Sequence, residues 1–373
     1  GRIMCDVKTP VGFFLGANTP QGFCGYHREL YDGREGWRAF LIKSGPGTGK
    51  SSLMKRLVAE MDAAGVTTEA IYCSSDPHSL DGVIAPSLKL VMFDATAPHI
   101  LEPGYWGAVE QIVDLGRCMN ADALHKQAPA IINATDACAR MHARCRQYMG
   151  AAAMLLADNR RLALACTDRE KVTTAAARIA AREWGSKSDQ SGRETRRFLS
   201  ALTPEGMVCF TETLQTLCPR LYAIEDDHGA ASSLLMAELR RRALAAGLSV
   251  ISCASPLFPQ ESPEHLLIPE RGLGFTVSNA FHRADFPVYR RMRAERFTDS
   301  DALRATREKR AFNRKAAREM LQEAEACACE AKQLHDRMEE LYRPAVDWQR
   351  VSVMQEHMAG VWRALAQQKS NDA

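Results

Sequence analysis

Strand-length apolar runs give way to long heptad-like stretches in this chain, and the sequence does this twice. Phe13-Phe14-Leu15, Ala39 to Ile42, Glu69 to Cys73 and Lys89 to Phe93 read as buried strands bounded by turn-forming residues. Ser51 to about Ala64 is amphipathic and is followed by Gly65, the residue that most readily takes the left-handed backbone past a helix end. Strands alternating with helix predict a parallel α/β sheet. After about residue 104 the pattern becomes Ala- and charge-rich helix. There Cys138, Met141, Cys145, Tyr148, Ala152 and Leu155 recur at three- and four-residue steps, a coiled-coil-like seam. Met320, Ala324, Cys327, Ala331, Leu334, Met338 and Leu341 form a second. Either the two seams pack together or each folds back on its following helix, and Pro129 and Pro344 mark helix starts or ends.

The recurrence is a tandem duplication. Phe14-Leu15-Gly16-Ala17-Asn18-Thr19-Pro20 returns as Phe198-Leu199-Ser200-Ala201-Leu202-Thr203-Pro204, and Ala63-Ala64-Gly65 returns as Ala245-Ala246-Gly247. Cys73 matches Cys253, Pro86 matches Pro269, His99 matches His282, and Asp168 matches Asp347. The expected organisation is a half at 1–190 with a helical arm from about 104, and a half at 191–373 with an arm from about 285.

The chemistry is concentrated in one loop. Gly45-Pro46-Gly47-Thr48-Gly49-Lys50-Ser51-Ser52 satisfies G-x-x-x-x-G-K-[ST] between a strand and a helix. Such a loop wraps its backbone N–H groups around phosphate; the lysine (Lys50) neutralises β- and γ-oxygens, and the hydroxyl (Ser51) ligates Mg²⁺. A second metal contact is expected from a carboxylate at a strand end. Asp94, closing Leu90-Val91-Met92-Phe93, is the preferred candidate, and Asp76 the alternative. Lys50 and Asp94 are therefore the expected catalytic pair. Thr96 and Asp81 are polar neighbours, His99 reads as a structural hydrogen-bonding group, and no glutamate follows Asp94 to act as general base. In the second copy the loop has become Asp227-His228-Gly229-Ala230-Ala231-Ser232. The lysine is gone, two required glycines are replaced, and Glu225-Asp226-Asp227 puts three carboxylates where phosphates would sit.

Composition narrows the classes further. The 373 residues carry a net charge of +3, too little to imply a nucleic-acid partner by itself. Residues 283–320 hold twelve Lys or Arg against six acids. That run reads as a solvated helix face, with two alternatives: a nucleic-acid contact, or an arginine near 290–296 reaching the intact loop. No run approaches the roughly 20 apolar residues of a membrane span, and Gly1 to Asp6 lacks a signal-peptide core. Twelve scattered cysteines without a C-x-x-C pair read as reduced cytoplasmic thiols, and Cys327-x-Cys329 on a helix points its sulfurs apart.

The segments Phe14 to Phe23, the 45–52 loop, Cys73 to Ile84 and Asp94 to His99 together resemble a family of bacterial tandem P-loop proteins identified as ATPases. The resemblance spans essentially the whole chain. It implies a duplicated P-loop NTPase-type fold and ATP with Mg²⁺ as ligands. Members often carry a P-loop in both halves, and this chain departs from that at 227–232. The expected function is slow ATP hydrolysis with one active and one degenerate half. The alternatives are a small-molecule kinase, or a nucleotide-gated module whose arms engage a protein partner.

Overall fold

The computed structural model describes residue 9, residues 11–185 and residues 188–372; Cys5 and the segment 1–6 discussed above lie outside them. Two six-stranded α/β halves repeat one topology. The first sheet contains β1 (Gly12–Phe14), β4 (Arg38–Lys43), β5 (Glu69–Tyr72), β6 (Leu80–Ala85), β7 (Leu90–Asp94) and β8 (Glu110–Asp114), in the order β1-β5-β6-β7-β4-β8. The hairpin β2 (Gly16–Thr19) and β3 (Gly22–Gly25) stands beside it, and α1 (Lys50–Ala63) follows β4. In the second half the same roles fall to β9 (Glu194–Arg197), hairpin β10 (Ser200–Thr203) and β11 (Gly206–Cys209), β12 (Arg220–Glu225), β13 (Val250–Cys253), β14 (His265–Ile268), β15 (Leu273–Ser278) and β16 (Arg290–Arg293). Their sheet order is the matching β9-β13-β14-β15-β12-β16. A short α5 (Thr211–Leu217) precedes β12, and α6 (Ala231–Ala245) follows it.

The sheets are mixed, whereas alternation of strand and helix predicts all-parallel ones. β6 runs antiparallel to both β5 and β7, and β14 does the same in its sheet. Only short links join β5 to β6 and β6 to β7, and a parallel pairing needs a longer crossover. The other pairings are parallel. Strands β8 and β16 also lie inside the stretches expected to be arm.

Side-chain alternation along each central strand assigns its two faces. Phe40 and Ile42 of β4 join Leu53, Met54, Leu57 and Met61 of α1, while Ala39 and Leu41 face a core shared with Leu199, Leu214, Leu221 and Leu267 of the other half. The axis relating the halves passes close to Phe14 and Phe198, equivalent residues that exchange backbone hydrogen bonds of 2.9 and 2.8 Å.

The arms cross that axis. From the first half come α2 (Ala121–Lys126), α3 (Ala128–Leu164) and α4 (Arg169–Glu183); from the second, α7 (Ser300–Arg304), α8 (Arg307–Tyr342) and α9 (Trp348–Asp372). The two long helices, α3 and α8, pack on each other antiparallel: Cys138 meets the Ala331 carbonyl near one end, and Asn159 meets Asn313 and the Arg310 carbonyl near the other. Of the expected seams, Cys138, Cys145, Ala152, Ala324, Cys327, Ala331 and Met338 are buried. Pro129 sits in the first turn of α3, and Pro344 lies between α8 and α9. Each arm then delivers its last helix to the opposite sheet. Met358, Ala359, Trp362 and Ala366 of α9 complete the α1 core, and Val172, Ala176 and Ile179 of α4 complete the α6 core. Asp347 and Asp168 accept backbone hydrogen bonds in the first turns of α9 and α4. Their own N–H groups bond to Cys118 and Phe297, each across the halves, at 2.7 Å. Packing units and sequence repeats thus do not coincide. No described helix is long and apolar enough to cross a membrane.

Candidate phosphate-binding loop and its degenerate counterpart

The glycines of the 45–52 loop have conformational work to do. Gly47 and Gly49 take φ of +66° and +85°, values at which a side chain is strained. Thr48, almost fully buried, folds the turn by donating to the Gly45 carbonyl at 3.0 Å, and it receives the Ser44 hydroxyl at 2.7 Å. Gly49 caps α1 and has no side chain with which to accept from the first-turn N–H groups.

Lys50 and Asp94, the two expected catalytic residues, are brought together: Nζ lies 2.9 Å from Oδ2, with both side chains largely buried. Thr96 completes the group. Its backbone N–H and hydroxyl both donate to Asp94 Oδ1, and its oxygen accepts from Lys50 at 3.2 Å. The Ser51 hydroxyl oxygen accepts the Leu80 N–H at 2.9 Å, which ties α1 to the start of β6. Asp76 goes elsewhere. Its described partners are His78 N–H and the Ser79 hydroxyl in its own turn, and Lys332 of α8 at 3.5 Å. The remaining loop residues, Pro46 and Ser52, complete the turn and the first helical turn.

Behind Asp94 lies a buried pair that patterning did not connect. His99 Nε2 is 3.1 Å from Asp81 Oδ2. Burial opposes the charge of each, yet each carries the other past that penalty, so His99 is raised and Asp81 lowered from their ordinary values. His27, whose ring lies tilted against His99 at 5.0 Å between centroids, is pushed down to about 4 by burial and by His99. The signal for the pair was in the repeat, since Glu264 and His282 stand at the same 183-residue offset from Asp81 and His99 and pair at 3.1 Å.

The second arm lies directly on the loop. A Cβ placed on Gly45 would fall 2.8 Å from the Tyr342 ring, one on Gly47 3.1 Å from Glu339 Cβ, and one on Gly49 3.3 Å from Gln355. Gln355 also donates to the Gly49 carbonyl at 3.3 Å.

In the second half one feature of the loop geometry survives: Gly229 keeps φ +68° beside the +66° of Gly47. Ala231, at the position of Gly49, is helical instead. Of the three acids only one turns inward. Asp226, at the position of Ser44 and buried, accepts the N–H groups of His228, Gly229 and Ser232 at 3.0, 3.1 and 2.9 Å. A carboxylate of the chain thus occupies the nest of N–H donors. Glu225 instead pairs with Arg291 and Arg293, and Asp227 with Arg283. These arginines therefore serve their own half, and the expectation of a finger from 290–296 to the intact loop is replaced by these pairs. Arm residues again cover the loop, with opposite charge. Arg160, at the position of Glu339, lies 3.3 Å from a Cβ on Gly229, and Arg310 donates to His228 at 2.9 Å. Burial and Arg310 together lower the His228 pKa.

All eleven described cysteines are free. Cys138, Cys145 and Cys327 are buried in the arm contact, with pKa values raised by burial.

No family model matches this chain, and neither the curated proteins nor the solved structures contain a match to it.

Proposed function

We propose that the chain binds one nucleoside triphosphate, ATP, with Mg²⁺ at residues 45–52 and hydrolyses it slowly, while the second half is a pseudo-site. The observation that carries this reading is the Lys50–Asp94 contact of 2.9 Å at the start of a helix capped only by glycine. Backbone N–H groups from Gly45 to Ser52 would hold the phosphates, with Lys50 moving from Asp94 to the β- and γ-oxygens. Ser51 and the released Asp94 carboxylate would hold Mg²⁺, which when bound neutralises phosphate charge. Asp76, engaged by Lys332, is the lesser candidate. The residue after Asp94 is the buried Ala95, so no carboxylate stands there to orient water, which favours slow turnover. This reading includes membership of the bacterial tandem P-loop ATPase family and, with the free thiols, a cytoplasmic location.

A second reading is favoured by one observation: all three loop glycines lie beneath α8 and α9. Nucleotide in the loop and arm on the loop would then compete, making the chain a nucleotide-gated module that exposes its arms to a protein partner. The basic run gives nucleic acid little support, because Arg283, Arg291, Arg293 and Arg310 are engaged within the second half.

Calorimetric titration with Mg-ATP tests the core of the proposal. Lys50→Ala should weaken binding by about a hundredfold, some 2.7 kcal/mol; unchanged affinity overturns it. Phosphate release from ATP and water alone supports hydrolysis. Release only after a metabolite is added identifies a kinase, and binding without turnover identifies the gated module.

A further inference from the structure

A second cluster of chemistry lies in the half whose loop is degenerate. Cys209 at the end of β11, His265 at the start of β14 and His282 in the loop after β15 converge. One ligating atom from each lies within 4.8 Å of the other two. His265 is fully buried, and its Nδ1 bonds to the Thr276 hydroxyl at 2.8 Å. Its Nε2 has no hydrogen-bond partner, an orphaned polar atom of a kind that proteins seldom leave without a reason. Glu264 Oε2 lies 3.1 Å from His282 Nε2 and 3.9 Å from His265 Nε2.

The repeat supplies an independent argument. At the positions of Cys209 and His265 the intact half has Gly25 and Gly82, while His282 and Glu264 correspond to His99 and Asp81. Both halves therefore keep the acid–histidine pair. Each pair has a second imidazole beside it, His27 at 5.0 Å from His99 and His265 at 4.9 Å from His282 between centroids, and the second half alone adds a thiol, Cys209 in place of Gly25. The added thiol lies beside an imidazole whose buried Nε2 has no hydrogen-bond partner.

We propose that Cys209, His265 and His282 form a binding site for a zinc-class divalent cation, with Glu264 orienting His282. One thiolate and two imidazoles suit a borderline-soft tetrahedral ion and do not suit Mg²⁺. Zn–S near 2.3 Å and Zn–N near 2.0 Å space ligand atoms roughly 3.3–3.6 Å apart, so side-chain adjustment of about 1 Å closes the cluster. Thr276 on His265 and Glu264 on His282 are the outer partners that fix ring orientation in such sites. On binding, the Cys209 thiol proton passes to solvent and the sulfur lone pair goes to the metal. The fourth position is left to water.

The test uses the full chain, stripped with chelator and titrated with Co²⁺ in excess Mg²⁺, followed by absorption. One Co²⁺ should bind with a thiolate-to-cobalt charge-transfer band, and Zn²⁺ should displace it. The band should persist in Lys50→Ala and vanish in Cys209→Ser. His265→Gln should weaken binding at least about tenfold. X-ray absorption on the zinc-loaded parent, which needs no variant, should show one sulfur among its ligands. A shell of oxygen and nitrogen only, a band that survives Cys209→Ser, or equal affinity in His265→Gln would overturn the assignment.

Discussion

The two loops differ less in backbone than in what fills them. Gly47 and Gly229 hold nearly the same left-handed conformation, and each loop lies between a central parallel strand and a helix. In the second half, however, Asp226 supplies three acceptor contacts to the loop. At the same position in the first half, Ser44 turns its hydroxyl to Thr48 instead. The charge facing each loop is inverted as well: Glu339 lies over the loop that carries Lys50, and Arg160 over the loop that carries Asp226. Under the proposed function, the second loop keeps its fold while a carboxylate of the chain takes its N–H groups and the arm charge is opposite.

The largest expected effect tests that reading directly. Ser44→Asp should place a carboxylate in the intact nest and lower Mg-ATP affinity by more than about a hundredfold, measured by calorimetry on a variant of parental circular dichroism. Undiminished binding would break the comparison. Asp226→Ala is next. With three N–H groups orphaned, that of Ser232 buried and those of His228 and Gly229 part-buried, urea unfolding should report a loss of about 2 kcal/mol, while Mg-ATP titration at the first loop stays at the parent value.

The third concerns the Asp81–His99 pair behind Asp94. Because the His99 pKa is raised on folding, its charged form stabilises fully below the unfolded imidazole value, and that stability is lost as pH rises through the folded value. His99→Gln should therefore cost more stability near pH 6 than near pH 9. Asp81, lowered on folding, contributes above its unfolded value and loses that contribution only as pH falls through the folded one. A pH-independent deficit in urea melts would mean that the pair is not ionised. The smallest effect belongs to the arm: Glu339→Ala should tighten Mg-ATP binding about two- to fivefold at low salt and much less at high salt.

What could be read from the chain itself was whatever is local. The 45–52 motif, Asp94 as the carboxylate closing an apolar strand, the strands around Phe40 and Met92 and the stop at Gly65 depend on neighbours in sequence. β6 was not legible, because Leu80-Asp81-Gly82-Val83-Ile84-Ala85 lacks clean alternation and is buried on both faces. The inward turn of Asp226 was not distinguishable from its acidic neighbours, because the partners of Glu225 and Asp227 are arginines far along the chain. The Cys209–His265–His282 cluster was invisible to spacing rules, since its members are brought together by hairpin and sheet. The arm seams were visible as periodicity, but the exchange of α4 and α9 was not, because a helix's apolar stripe does not say which sheet it will cover.

That exchange has a consequence for how the molecule came to be asymmetric. Each sheet finishes its core with a helix from the other copy, so the contact map is that of a homodimer of one repeat whose subunits trade arms. In such a dimer every substitution appears twice, and a change at the Ser44 position would alter both loops at once. Joining the copies end to end frees the two positions from each other. One loop can then keep its lysine while its twin, still indispensable as scaffold, takes on a different chemistry.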